Sequence, residues 1–451
     1  MRSSRRKLTP HQIGQYLLSW RLSLMMLLAL VLGGTASSVY ALKVPLYFIS
    51  LVFIVQAIWT RSNPFSALLR PPVILGGLLV LGFGLYLIPL PVSLWGGLSG
   101  RDIIQSSFEL VHAEKPSMPL SLAPHATYLS AFNFLPIIAI TLIMLLSAGH
   151  TEIKRAEKTI IFAAVLSLII GIIDVAAKQH LFSVYEVYSR GLPTGIFPNI
   201  NHQAVFMAVA MPLAIYYLHK GQSRGSSSNL RVSTLSAMAV IALILGVFLC
   251  RSTAGYGLSI VAISSALFIM NRKKKLSVLF LMPIILLAVA ICIDLMTGGR
   301  FISPVLDKFS STFASSRGQI YITSIEAARE FGIFGIGPGA FEAVYRIFEN
   351  KDTISKTYIN AVHNDYIQLY MEFGLLGIGW IVAGFIWYIQ AVFKVNKSRS
   401  SRKAQYLIYA LCLAILLIHS AVDYPLRTVS LSALFFFLVL RLDQFSAQRA
   451  N

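Results

Sequence analysis

The stretch Ala361-Val-His363-Asn-Asp365-Tyr-Ile-Gln368-Leu-Tyr370-Met-Glu372-Phe-Gly374 gathers residue types that move protons. Imidazole is the side chain best matched to taking a proton near neutral pH, so His363 is a general-base candidate. On a helix, Asp365, Gln368 and Glu372 share one face at i, i+3 and i+7. The plainer reading is a surface histidine and carboxylates that cap a helix and meet water. Three arginines, Arg317, Arg251 and Arg427, could hold an anion instead. Each offers a planar fork of donors suited to a doubly hydrogen-bonded grip on phosphate. Ser252 and Thr253 follow Arg251, and His419 and Asp423 precede Arg427. The i, i+4 spacing would also let Asp423 simply pair with Arg427. Phe197-Pro-Asn199-Ile-Asn201-His202 sets two asparagines and a histidine together, as helix caps or as contacts for a polar ligand.

The elements that must position these groups are set by composition. The 451 residues are 56% apolar and 12% charged, with a mean hydropathy of +0.71. Such a chain is not a soluble multi-domain enzyme, a disordered chain or a fibrous repeat. Its apolar residues come in runs of roughly 17 to 21, long enough to cross a bilayer core as helices. The expected fold is an all-α polytopic membrane protein of about twelve spans: 22–39, 44–60, 72–90, 128–148, 159–176, 200–218, 232–249, 253–270, 276–293, 373–393, 404–420 and 425–440. An even number of spans puts both termini on one side. The chemistry-bearing residues then lie at span edges, where a charge is costly unless it meets a partner or a cavity. Snorkelling to lipid headgroups is the plainer reading for any one arginine.

Charge selects the side. The net charge is +20, from 38 Lys and Arg against 18 Asp and Glu. The N-terminal segment and alternate connections carry 24 of the basic residues, and Glu152, Glu157 and Asp443 are the acids among them. The positive-inside rule makes that face, with both termini, cytoplasmic. The basic balance is therefore a topology signal and not a nucleic-acid footprint. Arg272 to Lys275 reads as a stop between two hairpinned spans. The long basic start favours an uncleaved first span over a signal peptide. Cys250, Cys292 and Cys412 make no disulfide framework or ligand cluster, and there is no CxxC, HExxH or phosphate loop.

Three regions follow: 1–293 with about nine spans, an extracytoplasmic loop at 294–372, and 373–451 with about three spans. A connection as long as 294–372 should contain its own elements. Gly318–Phe331 reads as a helix with Tyr321, Ile325 and Ala328 on one face. Pro338 sits where a second helix could begin. Phe341, Val344, Tyr345 and Phe348 form an amphipathic stripe that suits packing on the membrane or on other helices. Between the two helices, Gly335-Ile-Gly337-Pro-Gly339 reads as a tight turn. Residues 91–127, with Pro91, Pro116, Pro119 and Pro124, read as an irregular cap.

In this order the motifs resemble the bacterial O-antigen ligase and polysaccharide polymerase superfamily. The resemblance rests on Arg317 at a helix start, on Phe334-Gly335-Ile-Gly337-Pro-Gly339-Ala-Phe341, and on His363-Asn-Asp-Tyr-Ile-Gln-Leu with Glu372 and Gly374-Leu-Leu-Gly377. Asn199-Ile-Asn201-His202 is similar to the family's Asn-x-Asn span start, and His419 to Arg427 to its penultimate turn. One departure concerns Arg251, which stands in Arg-Ser-Thr-Ala-Gly where the family often has Ser-Arg-Gly. The resemblance implies a GT-C-like membrane glycosyltransferase needing no cofactor or metal. Its donor is a glycan on undecaprenyl diphosphate. Its acceptor is a sugar of lipid A-core or of a lipid-linked repeat, which separates ligase from polymerase. His363 is the implied catalytic base, acting with inversion. Arg317, Arg251, Arg427, Asn199 and Asn201 are implied at the diphosphate or substrate, supported by Asp365, Glu372, His419 and Asp423. The competing classes are a polysaccharide transporter or flippase, and a non-catalytic subunit of a glycan export complex. Transporters often carry paired or broken spans in equivalent positions, which this sequence lacks.

Overall fold

The computed structural model describes residues 18–36, 40–178, 181, 182, 185, 191–222, 227–270, 316–349, 351 and 359–447. Regular structure among them is helical, apart from a two-residue antiparallel pairing of Pro89–Leu90 with Met118–Pro119. The principal helices are α1 (Arg21–Leu32), α2 (Tyr40–Trp59), α3 (Pro71–Leu85) and α4 (Pro124–Ser147, with 3-10 and π turns). Next come α5 (His150–Ala177), α6 (Ile200–Gln222), α7 (Ser227–Cys250) and α8 (Thr253–Met270). The last five are α9 (Ser316–Glu330), α10 (Phe341–Phe348), α11 (Asp365–Lys397), α12 (Lys403–Ser420) and α13 (Val429–Ala447).

Seven of these are long and apolar enough to cross a membrane: α4, α5, α6, α7 over Leu230–Cys250, α8, α11 and α12. Helices α1 and α3, and α2 over Lys43–Trp59, are apolar but shorter. The helices among the described residues thus mark a multi-pass membrane protein. Ten of the twelve apolar runs in the sequence overlap helices of this set, and an eleventh, 425–440, overlaps α13. The ninth, 276–293, lies outside the described residues, as do Arg272 to Lys275, Cys292 and the start of the 294–372 loop. Helix α1 ends at Leu32, earlier than the apolar run. There Gly33 and Gly34 pass so close to Val429 and the Ile196 carbonyl that a Cβ on either would clash. Helix α11 begins at Asp365, eight residues before its apolar run, because Asn364 caps it.

Helix α6 is the centre of the bundle. Every residue from His202 to Tyr217 is buried. It has no polar face to offer water, and its alanines at 204, 208, 210 and 214 let neighbouring helices approach closely. The three acids that the sequence places among the basic connections are each paired with an arginine of the same set. Arg21 meets Glu152 at 3.1 Å, Arg441 meets Glu157 at 2.9 Å and Arg70 meets Asp443 at 3.2 Å. Glu157 also accepts from Tyr217 and Tyr409, so one buried carboxylate joins α5, α6, α12 and α13.

Helices α9 and α10 build a second, smaller core. Ile320, Ala327 and Ala328 of α9 pack with Phe341, Val344 and Tyr345 of α10, which also covers Val362 and Met371. The stripe of α10 therefore faces other helices. Helix α10 starts at Phe341 and not at Pro338. Gly337 and Gly339 have φ of +100° and +78°, which a right-handed helix cannot include.

The glycine segment is more than a turn. It docks on a kink in α11, where Gly374 takes φ +57° and ψ −139°. The kink frees the Met371 and Glu372 carbonyls, which accept from the Ile336 and Gly337 amides at 3.0 and 2.9 Å. The Leu375 amide donates to the Ile333 carbonyl at 2.9 Å. A Cβ on Gly335 would lie 2.5 Å from the Met371 oxygen, and one on Gly374 2.2 Å from the Ile333 oxygen. Glycine is needed at both positions, and the contact fixes the first two turns of α11.

Candidate active site

His363 stands immediately before the α11 cap, in the left-handed region at φ +59°. Histidine is one of the few residues enriched there. Its carbonyl accepts from the Tyr321 hydroxyl of α9 at 2.8 Å. Burial pushes the Tyr321 phenol above its ordinary range, despite the lowering effect of Arg317, so it stays a donor. The Tyr424 ring meets the imidazole edge-on at 4.8 Å. Nδ1 lies 3.1 Å from Oδ1 of Asp423. Asp423 is 1% exposed and His363 is 25% exposed. Burial alone would raise the Asp423 carboxyl. The hydrogen bond from His363 and the neighbouring imidazoles outweigh that and hold it well below the usual carboxylate range. An ionised carboxylate can only accept, so Nδ1 is the donor in this contact. In a neutral His363 that leaves the unshared pair on Nε2, the arrangement a general base needs.

Asp423 and Arg427 do not pair, although their spacing allows it. Pro425 to Arg427 form a 3-10 turn. Asp423 is committed to His363 and to the Asn201 amide, which donates to Oδ2 at 3.0 Å. Arg427 turns to α11, donating to Glu372 at 2.6 Å and lying 3.7 Å from Asp365. Asp365 is further held by the Ser420 hydroxyl at 2.8 Å and the Leu426 amide at 3.1 Å. Gln368 donates to Glu372 at 3.1 Å and accepts from the Val362 amide at 3.2 Å. The shared face of Asp365, Gln368 and Glu372 is thus a buried clamp on the α12–α13 turn, not a water-facing cap. The Arg427 side chain is partly exposed, but two carboxylates already meet its charge.

The two asparagines of the α6 start divide the two readings made of them. Asn199 accepts from the Asn201 amide nitrogen at 2.9 Å, a capping contact. Asn201 reaches the His363 cluster through Asp423, and on its other side it accepts from Ser252 at 2.8 Å. Arg317 donates to the Val422 carbonyl at 3.1 Å, which sets it one residue from Asp423. Its other donors have no partner among the described residues. Arg251 is exposed, at φ +51°, and makes no side-chain hydrogen bond or ion pair among the described residues. His419 is buried beneath the turn, and its carbonyl accepts from the Val422 and Asp423 amides at 3.0 and 2.9 Å.

Residue patterns alone did not reveal Tyr424 or the hydroxyl of Tyr321. Tyr424 adjoins Asp423, and Tyr321 appeared only as part of an apolar face. A polar tip on a helix that packs against the His363 segment is the signal that would have found it.

A cavity of about 960 Å³ opens beside this cluster. Asp365, Glu372, Arg427, Glu342 and Arg346 are among its charged lining, and Leu75, Trp380 and Phe436 among its apolar lining. His363, Arg317 and Arg251 do not line it, so Arg427 is the arginine that connects the cavity with the histidine cluster.

No curated protein matches the chain. The model of a family described as O-antigen ligase matches residues 238–382. The matched segment takes in Arg251, Arg317, His363, Asp365 and Glu372, and leaves out Asn201, Asp423 and Arg427. Over that segment the chain is similar to the O-antigen ligase family, the resemblance that its motif order had suggested.

Proposed function

We propose that the protein transfers a glycan from undecaprenyl diphosphate to an acceptor sugar hydroxyl at the extracytoplasmic face of the bacterial inner membrane. The observation that carries this reading is the His363–Asp423 pair, which sets Nδ1 of a partly exposed imidazole 3.1 Å from a buried carboxylate. Nε2 takes the proton of the acceptor hydroxyl. The freed oxygen attacks the anomeric carbon from the face opposite the diphosphate. The carbon–oxygen bond to the diphosphate breaks, and the configuration inverts. Asp423 stabilises the imidazolium that forms. Arg317 and Arg251 meet the charge gathering on the departing diphosphate, as preplaced cations do without reorganising. Arg427 orders the adjoining wall through Glu372 and Asp365. The apolar cavity suits the isoprenoid chain of the carrier. No metal enters the scheme, because the arginines supply the positive charge. The twelve-span topology, with cytoplasmic termini, belongs to the same reading.

Acceptor identity divides ligase from polymerase, with lipid A-core in one case and a lipid-linked repeat in the other. Glycan analysis of a deletion strain tests the class. Loss of a ligase leaves polymer on the lipid carrier, and loss of a polymerase leaves single repeats. Repeats trapped on the cytoplasmic face would instead mark a flippase and overturn the transferase reading. Strains carrying His363→Ala or Arg317→Ala should show the deletion pattern while the protein still reaches the membrane.

A further inference from the structure

Asn201 is well placed for a task other than touching substrate. Its amide nitrogen donates to Oδ2 of Asp423, while Oδ1 of the same carboxylate faces His363. Its amide oxygen accepts from the Ser252 hydroxyl. Both ends of the side chain are therefore used by protein. Ser252 in turn accepts from the Gly255 amide at 3.1 Å, which caps α8. It directly follows Arg251, whose left-handed backbone ends α7. One chain of hydrogen bonds thus runs from the Arg251 turn through Ser252, Asn201 and Asp423 to His363.

The chain removes a specific freedom. A carboxylate held only by one imidazole can rotate away from Nδ1, and the ring then loses the acceptor that fixes its tautomer. With Oδ2 held by Asn201 and the Tyr424 amide donating to Oδ1 at 3.0 Å, the carboxylate plane is set. Resting on the transfer reading above, we infer that Asn201 is a positioning residue, with Ser252 behind it. It orients the base through Asp423 and ties it to the turn that carries Arg251.

The test uses the full-length protein in lipid vesicles with ¹⁵N-labelled histidine. The His363 ring signals are identified by their loss in His363→Ala. Wild type should give a single Nδ1-protonated tautomer. Asn201→Ala should give mixed tautomers, Ser252→Ala a smaller change in the same direction, and Ser252→Thr, which keeps the hydroxyl, the wild-type spectrum. An unchanged His363 signal in Asn201→Ala overturns the inference, whatever the protein transfers. With a lipid-diphosphate-linked glycan as donor, Asn201→Ala should lower kcat by about 10²-fold and leave the donor KM unchanged. A raised KM with intact kcat would make Asn201 a substrate contact and also overturn it. If Asn201→Ala does not reach the membrane, the Ser252 pair supplies the same comparison. Full transfer by His363→Ala would defeat the transferase mechanism but leave the tautomer result standing on its own.

Discussion

Three neighbours constrain His363, each at a different point. Tyr321 holds its carbonyl, Asp423 its Nδ1 and Tyr424 the edge of its ring. Asp423→Asn keeps the shape but offers an amide that can donate to Nδ1 and favour the wrong tautomer. We expect kcat to fall by roughly 10²- to 10⁴-fold with little change in KM, as steady-state transfer kinetics would report. The same carboxylate makes a pH prediction. Its folded-state value lies below its unfolded one, so its stabilisation is present above the usual carboxylate range, near about pH 4, and is lost as pH falls below it. Thermal unfolding from pH 6 down to pH 3 should show wild type losing stability, with a flatter profile for Asp423→Asn. The members of this cluster were visible in the sequence as polar residues at span edges. Their pairing was not, because 60 positions separate His363 from Asp423 and 222 separate Asn201 from Asp423. Local spacing offered Arg427 as the partner of Asp423, and tertiary contact overrode it.

The element that places this cluster is the kinked start of α11. Its geometry depends on a glycine segment that carries no chemistry. Gly374→Ala would force a Cβ against the Ile333 carbonyl and hold alanine in a left-handed backbone, costing about 1–3 kcal/mol. The melting temperature should fall. Transfer should fall with it, because Glu372 and its bond to Arg427 move with the kink. A Gly374→Ala protein with wild-type melting and transfer would show that the docking is incidental. The two loop helices were legible from periodicity, and the inward face of α10 followed from its stripe. The docking was not legible. Glycine spacing signals unusual backbone, but it does not say which carbonyls that backbone will meet.

Across the whole molecule, the apolar spans were the most legible feature, since hydrocarbon admits little but helices. The distribution of basic residues was equally plain. The structure adds that the few acids among them are structural, each buried against an arginine. Glu157→Ala leaves Arg441 buried without its carboxylate and should cost about 3–5 kcal/mol, seen as loss of folded protein from the membrane. Sidedness is open to labelling. With Cys292 replaced by serine, Ser99→Cys should react with an impermeant thiol reagent applied to intact spheroplasts, and Arg399→Cys only after permeabilisation. The reverse pattern would invert the topology and remove His363 from the extracytoplasmic face. The central claim, that His363 is the base of a glycan transfer, is tested most directly by the transfer rate of purified protein in lipid vesicles with a lipid-diphosphate-linked donor and a sugar acceptor. The account predicts that His363→Ala, inserted and folded as wild type, loses at least about 10²-fold in rate. Transfer by His363→Ala at the wild-type rate would contradict it.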